Sequence, residues 1–206
     1  MRRLPLTVEQ GLASTRLAKT RLTEVIALRV GIENITCHKG CSHCCHYPVT
    51  ISLWEGISLY RALRREGLWH PQLKSSLERH AGLTFGTAPE IWLMAGIPCP
   101  MLDGGRCSVY ASRPFRCRAT VSTRDPDRCR PVYFQPGTFE DVTPETTEFD
   151  SLEHRVSRAS RDHARGLHER VPLSVAILMG YQLVEELIQL DEIALTLLRM
   201  LSRSPS

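Results

Sequence analysis

Cysteine is the side chain through which this sequence can do chemistry, and its spacing narrows what that chemistry is. Four of the eight cysteines fall within Cys37-His38-Lys39-Gly40-Cys41-Ser42-His43-Cys44-Cys45, a density that packing alone does not call for. The others, Cys99, Cys107, Cys117 and Cys129, follow after a gap, and none lies before Cys37 or after Cys129. Cys44 and Cys45 are adjacent, and sequence neighbours close a disulfide with each other only under severe strain, so each needs another partner. A thiolate binds soft and borderline metals, and short spacings let one loop present several thiolates to one centre. Cys37-x3-Cys41-x2-Cys44 is such a loop, with Gly40 permitting its turn and Cys45 offering a fourth sulfur. Zinc ribbons use two C-x2-C knuckles, whereas here only Cys41 and Cys44 form one. The three- and two-residue spacing is nearer to iron–sulfur ligation, so an iron–sulfur cluster is favoured over zinc.

The elements that must position these thiols read as mostly helical. From about residue 7 to 34 the apolar positions Leu12, Leu22, Val25, Ile26 and Ile32 recur at roughly helical spacing, predicting one long amphipathic helix that delivers the chain to Cys37. Its basic first part reads as a solvated face and not as a transit peptide. Tyr47 to Ile51 is a short extended piece. Ser52 with Glu55 three residues on is a capping box, opening a helix to about Glu66 with Ile57, Tyr60, Ala62 and Leu63 facing the core and Gly67 stopping it. A second helix is expected from Pro71 to His80, followed by a turn-rich stretch from Gly82 to Thr87, and a short helix from Pro89 to Ala95. Pro98, Pro100, Gly104, Gly105 and Pro114 then dictate a tightly bent loop around Cys99, Cys107 and Cys117. Two helices close the chain over 145–201: a polar one from Glu145 to about Arg170, and an apolar one from Pro172 to about Leu201 with Pro172 in its first turn.

A chain of 206 residues, 42% hydrophobic and 23% charged, can bury a core without staples and suits a single domain. No signal pattern develops at Met1-Arg2-Arg3-Leu4-Pro5, so a reducing, cytoplasmic setting is expected, where clustered cysteines point to metal or catalysis more than to crosslinks. The charge-free run from Val171 to Val184 is shorter than a membrane span and reads as a buried helix. The formal charge of +4 counts every thiol as neutral; eight thiolates on two divalent metals would bring it to about zero. The basic balance is therefore weak support for a nucleic-acid partner. Arg155, Arg158, Arg161 and Arg165 form a stripe without interleaved aromatic residues, which again favours a solvated face.

In order along the chain, Cys37, Cys41, Cys44 and Cys45, then Cys99-Pro100-Met101-Leu102, Gly104-Gly105, Cys107-Ser108-Val109-Tyr110, Arg113-Pro114 and Cys117-Arg118, resemble the signature of the YkgJ-like cysteine-cluster family, a zinc- or iron-chelating domain. Cys129 is similar to that family's further cysteine. The resemblance spans Cys37 to Cys129 and implies that Cys99, Cys107, Cys117 and Cys129 join the first four as metal ligands. It implies metal binding more than any reaction, since the family's biochemical role is largely unassigned. A related cluster in flagellin lysine N-methylases keeps methyl transfer as an enzymatic alternative, beside an oxidoreductase. Radical S-adenosylmethionine enzymes share the C-x3-C-x2-C spacing but seat it after a first strand of a strand–helix barrel, and this sequence shows no such alternation.

The expectation is thus a mostly α single domain around an irregular, loop-rich cysteine core, 37–129, flanked by helices over 7–34 and 145–201. It binds an iron–sulfur cluster or zinc in a redox, metal-handling or structural role, with no catalytic residue identified and the protein partner open. The two cysteine groups are expected to converge on one centre or two adjacent ones. His38, His43 and His46 read first as exposed loop histidines, though each could ligate zinc. Arg113 and Arg118 beside thiolates either balance charge or are merely solvated. Tyr110 is expected to pack against the loop, and Asp103 to be a turn residue. No phosphate loop, Ser-His-Asp triad or H-E-x-x-H is present to support a hydrolase.

Overall fold

A computed structural model describes residues 6–122, 129 and 170–201. The polar helix expected from Glu145 lies outside the described residues up to Arg170, and so does the arginine stripe. What is described is mostly helical, as expected. The helices are α1 Leu6–Val30, α2 Leu53–Arg65, α3 Pro71–Thr84, α4 Pro89–Met94, α5 Phe115–Ala119 and α6 Leu173–Leu201. Two short antiparallel pairs accompany them: β1 Thr50–Ile51 with β4 Val171–Pro172, and the hairpin of β2 Leu102–Asp103 with β3 Arg106–Cys107.

α1 stops at Val30, short of the expected end near Asn34. Gly31 takes a φ of +76°, and its amide bonds the Ala27 carbonyl at 3.2 Å, the left-handed end that glycine accepts most readily. A three-residue 3-10 turn, Ile32–Asn34, completes the approach to Cys37. α2 opens as its sequence predicts. The Ser52 side chain accepts from the Glu55 amide, and the Glu55 carboxylate accepts from the Ser52 amide, both at 3.4 Å. α3 continues past His80 to Thr84, with the His70 ring capping its start by accepting from the Leu73 amide. Pro172 belongs to β4 and not to the first turn of α6. It pairs with Thr50, and the next amide, that of Leu173, donates to the Val49 carbonyl at 3.0 Å.

The main core lies between α2 and α6 and is closed by α3. Ile57, Leu63, Ala176 and Ile177 are all fully buried in it, with Tyr60, Leu59 and Leu77 alongside. The crossing is close because both helices present glycine: a Cβ on Gly56 would stand 2.2 Å from the Ala176 carbonyl oxygen, and one on Gly180 would stand 2.7 Å from the Ile57 nitrogen. Tyr60, Trp69 and Tyr181 form an aromatic trio with centroids 4.8 to 5.4 Å apart. Leu22 and Ile26 of α1 pack separately on Phe115 and Ala119 of α5. Of the cysteines, Cys99, Cys107 and Cys117 pack against the main core. No helix among the described residues is long and apolar enough to cross a membrane.

Candidate metal centre

Cys44 and Cys45 sit on a single 3-10 turn, His43–His46, that directly precedes the extended piece leading into β1. A separate turn at Lys39 and Gly40 precedes it, with the Cys41 amide bonding His38 O at 3.1 Å, and the Cys45 amide bonds Ser42 O at 2.9 Å. The second motif folds back onto this loop: the Cys99 amide donates to the carbonyl of Cys45 at 2.7 Å. From Cys99 the chain turns through the β2–β3 hairpin, where Gly104 and Gly105, at φ +51° and +74°, make the reversal and bring Cys107 opposite Leu102. Ser108 ties the far side, its amide and hydroxyl both bonding Met101 O. α5 then supplies Cys117.

Cys37 and Cys129 are each held by a hydrogen bond from a distant segment. The Ser122 amide donates to the Cys37 sulfur at 3.1 Å, while Thr36 bonds Ser122 O through its amide at 2.8 Å and its hydroxyl at 2.9 Å. Cys129 is held through its carbonyl, which accepts from the Tyr47 hydroxyl at 3.1 Å. The segment after α5 is thereby drawn alongside Cys37.

All eight cysteines are free thiols; Cys45 is buried and the other seven are half-buried. Cys45 is the hub: the thiols of Cys107, Cys44 and Cys99 surround its own, and their interaction with it together with burial holds its proton far more tightly than usual. Cys107 and Cys44 move the other way. Cys107 is drawn down to about 6 by the Cys45 bond first, helped by the Val109 amide and the Arg113 charge. Cys44 falls to about 7, again chiefly through Cys45 and then through Arg113. Burial raises Cys37 against the opposing Ser122 amide, and raises Cys117 well above the usual thiol range. Thiols shifted in opposite directions in this way are what protons do at a site where a metal would take all the sulfurs as thiolates.

Arg113 is fixed for its task. Its guanidinium lies 3.8 Å from the Tyr110 ring centroid and its Nε donates to Tyr110 O at 3.1 Å. Tyr110 therefore packs within the loop, as its sequence context suggests. Arg118 does not reach sulfur in the hydrogen bonds it makes; it donates to the carbonyls of Arg113 and Ala111 and so braces the loop. Asp103 lies in the hairpin strand opposite Arg106 and is exposed. Of the three loop histidines only His38 is exposed, with Nδ1 3.2 Å from Thr36 O, while His43 and His46 are half-buried.

One residue at the site was visible in the sequence only for its local role. Glu55, 6% exposed, is the capping residue of α2, and its other oxygen accepts from the Phe115 amide at 2.6 Å. The carboxylate thus anchors the start of α5, two residues before Cys117, and lies in the electrostatic reach of Lys19 from α1.

The donor set fits zinc or iron. It is all sulfur where the thiols touch one another, and a pure thiolate environment suits zinc and iron–sulfur clusters over hard cations. Among the described residues no three His, Cys, Asp or Glu side chains already stand in metal-holding geometry, so a metal would draw these thiols inward. The fold and site together define a small helical protein wrapped around a metal-chelating cysteine core. A family model matches residues 36–150, more than half the chain, and the chain belongs to that family: CxxCxxCC, described as "Putative zinc- or iron-chelating domain". No curated protein and no solved structure matches the chain.

Proposed function

We propose that the metal carried by this chelating domain is iron in an iron–sulfur cluster, with zinc as the alternative, and that its first role is to fasten the two cysteine motifs to each other and to the helical core. The observation that supports this most is the Cys45 thiol in contact with sulfurs from both motifs, Cys44 on one side and Cys99 and Cys107 on the other. The preference for iron–sulfur rests on the C-x3-C-x2-C loop and on the wide spacing of Cys99, Cys107, Cys117 and Cys129, which builds no second zinc knuckle. When bound, such a cluster supplies one-electron chemistry. The chain's own residues would surround it with thiolate donors, with Arg113 offsetting part of their negative charge. Seven half-buried cysteines leave the site near enough to the surface for electron exchange with a partner.

The test is purification without oxygen, followed by iron, acid-labile sulfide and zinc analysis and a visible spectrum. A brown preparation containing iron and sulfide is the expected result. A colourless one with stoichiometric zinc and no sulfide would show that zinc is the resident metal.

A further inference from the structure

Between Arg79 and Arg106 the chain carries no lysine or arginine, and from Ala81 to Leu102 its single charged side chain is Glu90. Apolar side chains surface in the same stretch. Leu83 is 57% exposed, Phe85 66%, Ile91 60% and Met94 86%, so four of the seven exposed large hydrophobic residues fall within one short segment. The fold makes no use of them, since none belongs to either buried cluster.

The four share one corner of the molecule. The Phe85 amide closes α3 on Ala81 O at 2.9 Å, and Thr87 turns the chain towards α4 with its amide on Thr84 O and its hydroxyl on Leu83 O. α4 is held back against α3 where the buried rings of His80 and Trp92 meet edge to face, 5.2 Å between centroids. With Trp92 turned inward, Ile91 and Met94, three apart, fall together on the outer face of α4. Leu83, three residues after His80, and Phe85 lie at the end of α3 that this contact brings alongside. Trp92 also donates through Nε1 to Ile97 O at 3.3 Å, two residues before Cys99, so the second cysteine motif starts directly behind this face.

Area and charge decide what covers such a face. At roughly 200 Å² for a large side chain, these exposures leave about 500 Å² of apolar surface open. One partner of a stable interface buries about 800 Å², somewhat over half of it apolar, so four side chains supply what one side requires. Nucleic acid and anionic lipid need cations, and this stretch has none. A chain of formal charge +4 repels its own copy wherever basic residues meet, and here two copies approach without bringing cations together. A twofold contact needs only one self-complementary patch and is the commonest arrangement of soluble oligomers.

We propose that this corner is the contact face of a homodimer, in which two copies meet about a twofold axis through Leu83, Phe85, Ile91 and Met94. The contact needs no metal and goes beyond the metal-binding reading. It places the second cysteine motif of each copy beside the interface, so the two metal sites of the dimer flank it.

Sedimentation velocity of the full-length, metal-loaded chain across a dilution series tests this. The wild type should run at twice the 23.3 kDa of one chain. I91E/M94E on α4 and L83E/F85E at the end of α3 should each raise the dimer dissociation constant by roughly a hundredfold or more, because a carboxylate replaces an apolar contact twice in a symmetric interface. L28E alters a side chain that is 87% exposed on α1, outside the patch, and should leave the dimer intact. All five positions are exposed, so circular dichroism should match the wild type; if one double variant fails to fold, the other, on a different helix, carries the test, and Met94→Ser is the milder replacement for both. A wild type that stays monomeric at every concentration, a dimer that survives the patch variants, or one weakened equally by L28E overturns the proposal. A monomer that co-sediments with phosphatidylcholine vesicles overturns it in favour of a lipid surface.

Discussion

Replacing Gly180 with alanine should destabilise this protein although alanine is the better helix former. An added Cβ would stand 2.7 Å from the Ile57 nitrogen, 2.9 Å from the Gly56 carbonyl carbon and 2.9 Å from the Ile57 Cα. All three are backbone atoms of α2, so no side chain can swing aside, and relief requires the two helices to part by roughly half an ångström or more at the centre of a close-packed core. Overpacking of this kind costs about 1–3 kcal/mol, against which the intrinsic preference for alanine returns up to about 1 kcal/mol. Gly56→Ala should be worse, because its Cβ would meet the Ala176 oxygen at 2.2 Å. We expect losses of about 1–2 kcal/mol for Gly180→Ala and about 2–3 kcal/mol for Gly56→Ala, or roughly 3 to 10 °C in Tm for a chain of this size. Gly82→Ala is the internal control: it lies in α3 with nothing within 4 Å of its Cβ position, and should stabilise by up to about 1 kcal/mol. Thermal melts of the metal-loaded chain read all three. If Gly56→Ala and Gly180→Ala melt at or above the wild-type temperature, the close α2–α6 crossing is wrong.

Chelation of the reduced chain should lower the melting temperature by roughly 10 °C or more, since metal–thiolate bonds are coupled to folding of a segment with little regular structure; an apo form that melts with the holo form would refute the structural role. Glu55→Gln should cost about 1–3 kcal/mol by weakening the charged acceptor for the Phe115 amide in a buried position; an unchanged melt would mean that this bond is not formed in solution. His80 is buried, and burial lowers its pKa to about 4, so the folded state binds fewer protons than the unfolded one. Its contribution to stability is intact above about pH 6.5 and is lost as pH falls towards 4, by on the order of 2–3 kcal/mol; denaturant unfolding between pH 7 and 4.5 should show this slope, and a His80→Gln variant with an identical slope would refute it. Arg113→Ala removes the charge that favours the thiolates of Cys44 and Cys107, so protons should compete with metal at higher pH. The midpoint of metal release on acidification should rise, and an unmoved midpoint would exclude Arg113 from the site's electrostatics.

The parts legible in the sequence are those whose causes lie within a few residues. Ser52 and Glu55 signal a helix start because a capping box spans three positions, and Ile57, Tyr60, Ala62 and Leu63 signal a buried face because helical periodicity is local; all six behave as read. The cysteine loop is legible for the same reason. Gly31 is a stop signal hidden inside an apparently continuous apolar pattern that runs on to Ile32. What could not be read are the meetings between distant segments. Glu55 bonds an amide 60 positions away, and nothing near either residue announces it. Gly56 and Gly180 look like weak points of two helices until each is seen against the other's backbone. Ser122 likewise reaches Cys37 across 85 positions.

The short stretch from Tyr47 to Glu55 links the metal site to the helical core, beside the contacts of Cys99, Cys107 and Cys117, and this sets how a loss at one is felt at the other. The Tyr47 hydroxyl holds Cys129, the Val49 carbonyl holds the start of α6, Thr50 and Ile51 pair with β4, and the Glu55 carboxylate holds the start of α5. On the core side this stretch is secured by fully buried Ile51 and Ile57 and by the α2–α6 crossing, none of which needs a metal. On the loop side it is secured by single hydrogen bonds to segments that carry few regular ones of their own. Local opening follows the density of buried contacts, so metal loss should free the loops before the helices. The apo chain would then keep α2, α3 and α6 packed while amides such as those of Cys99 and Ser122 exchange with solvent. Loosening the crossing, by contrast, removes the platform from which both cysteine motifs are hung, and should weaken metal retention from a distance although no ligand has been touched.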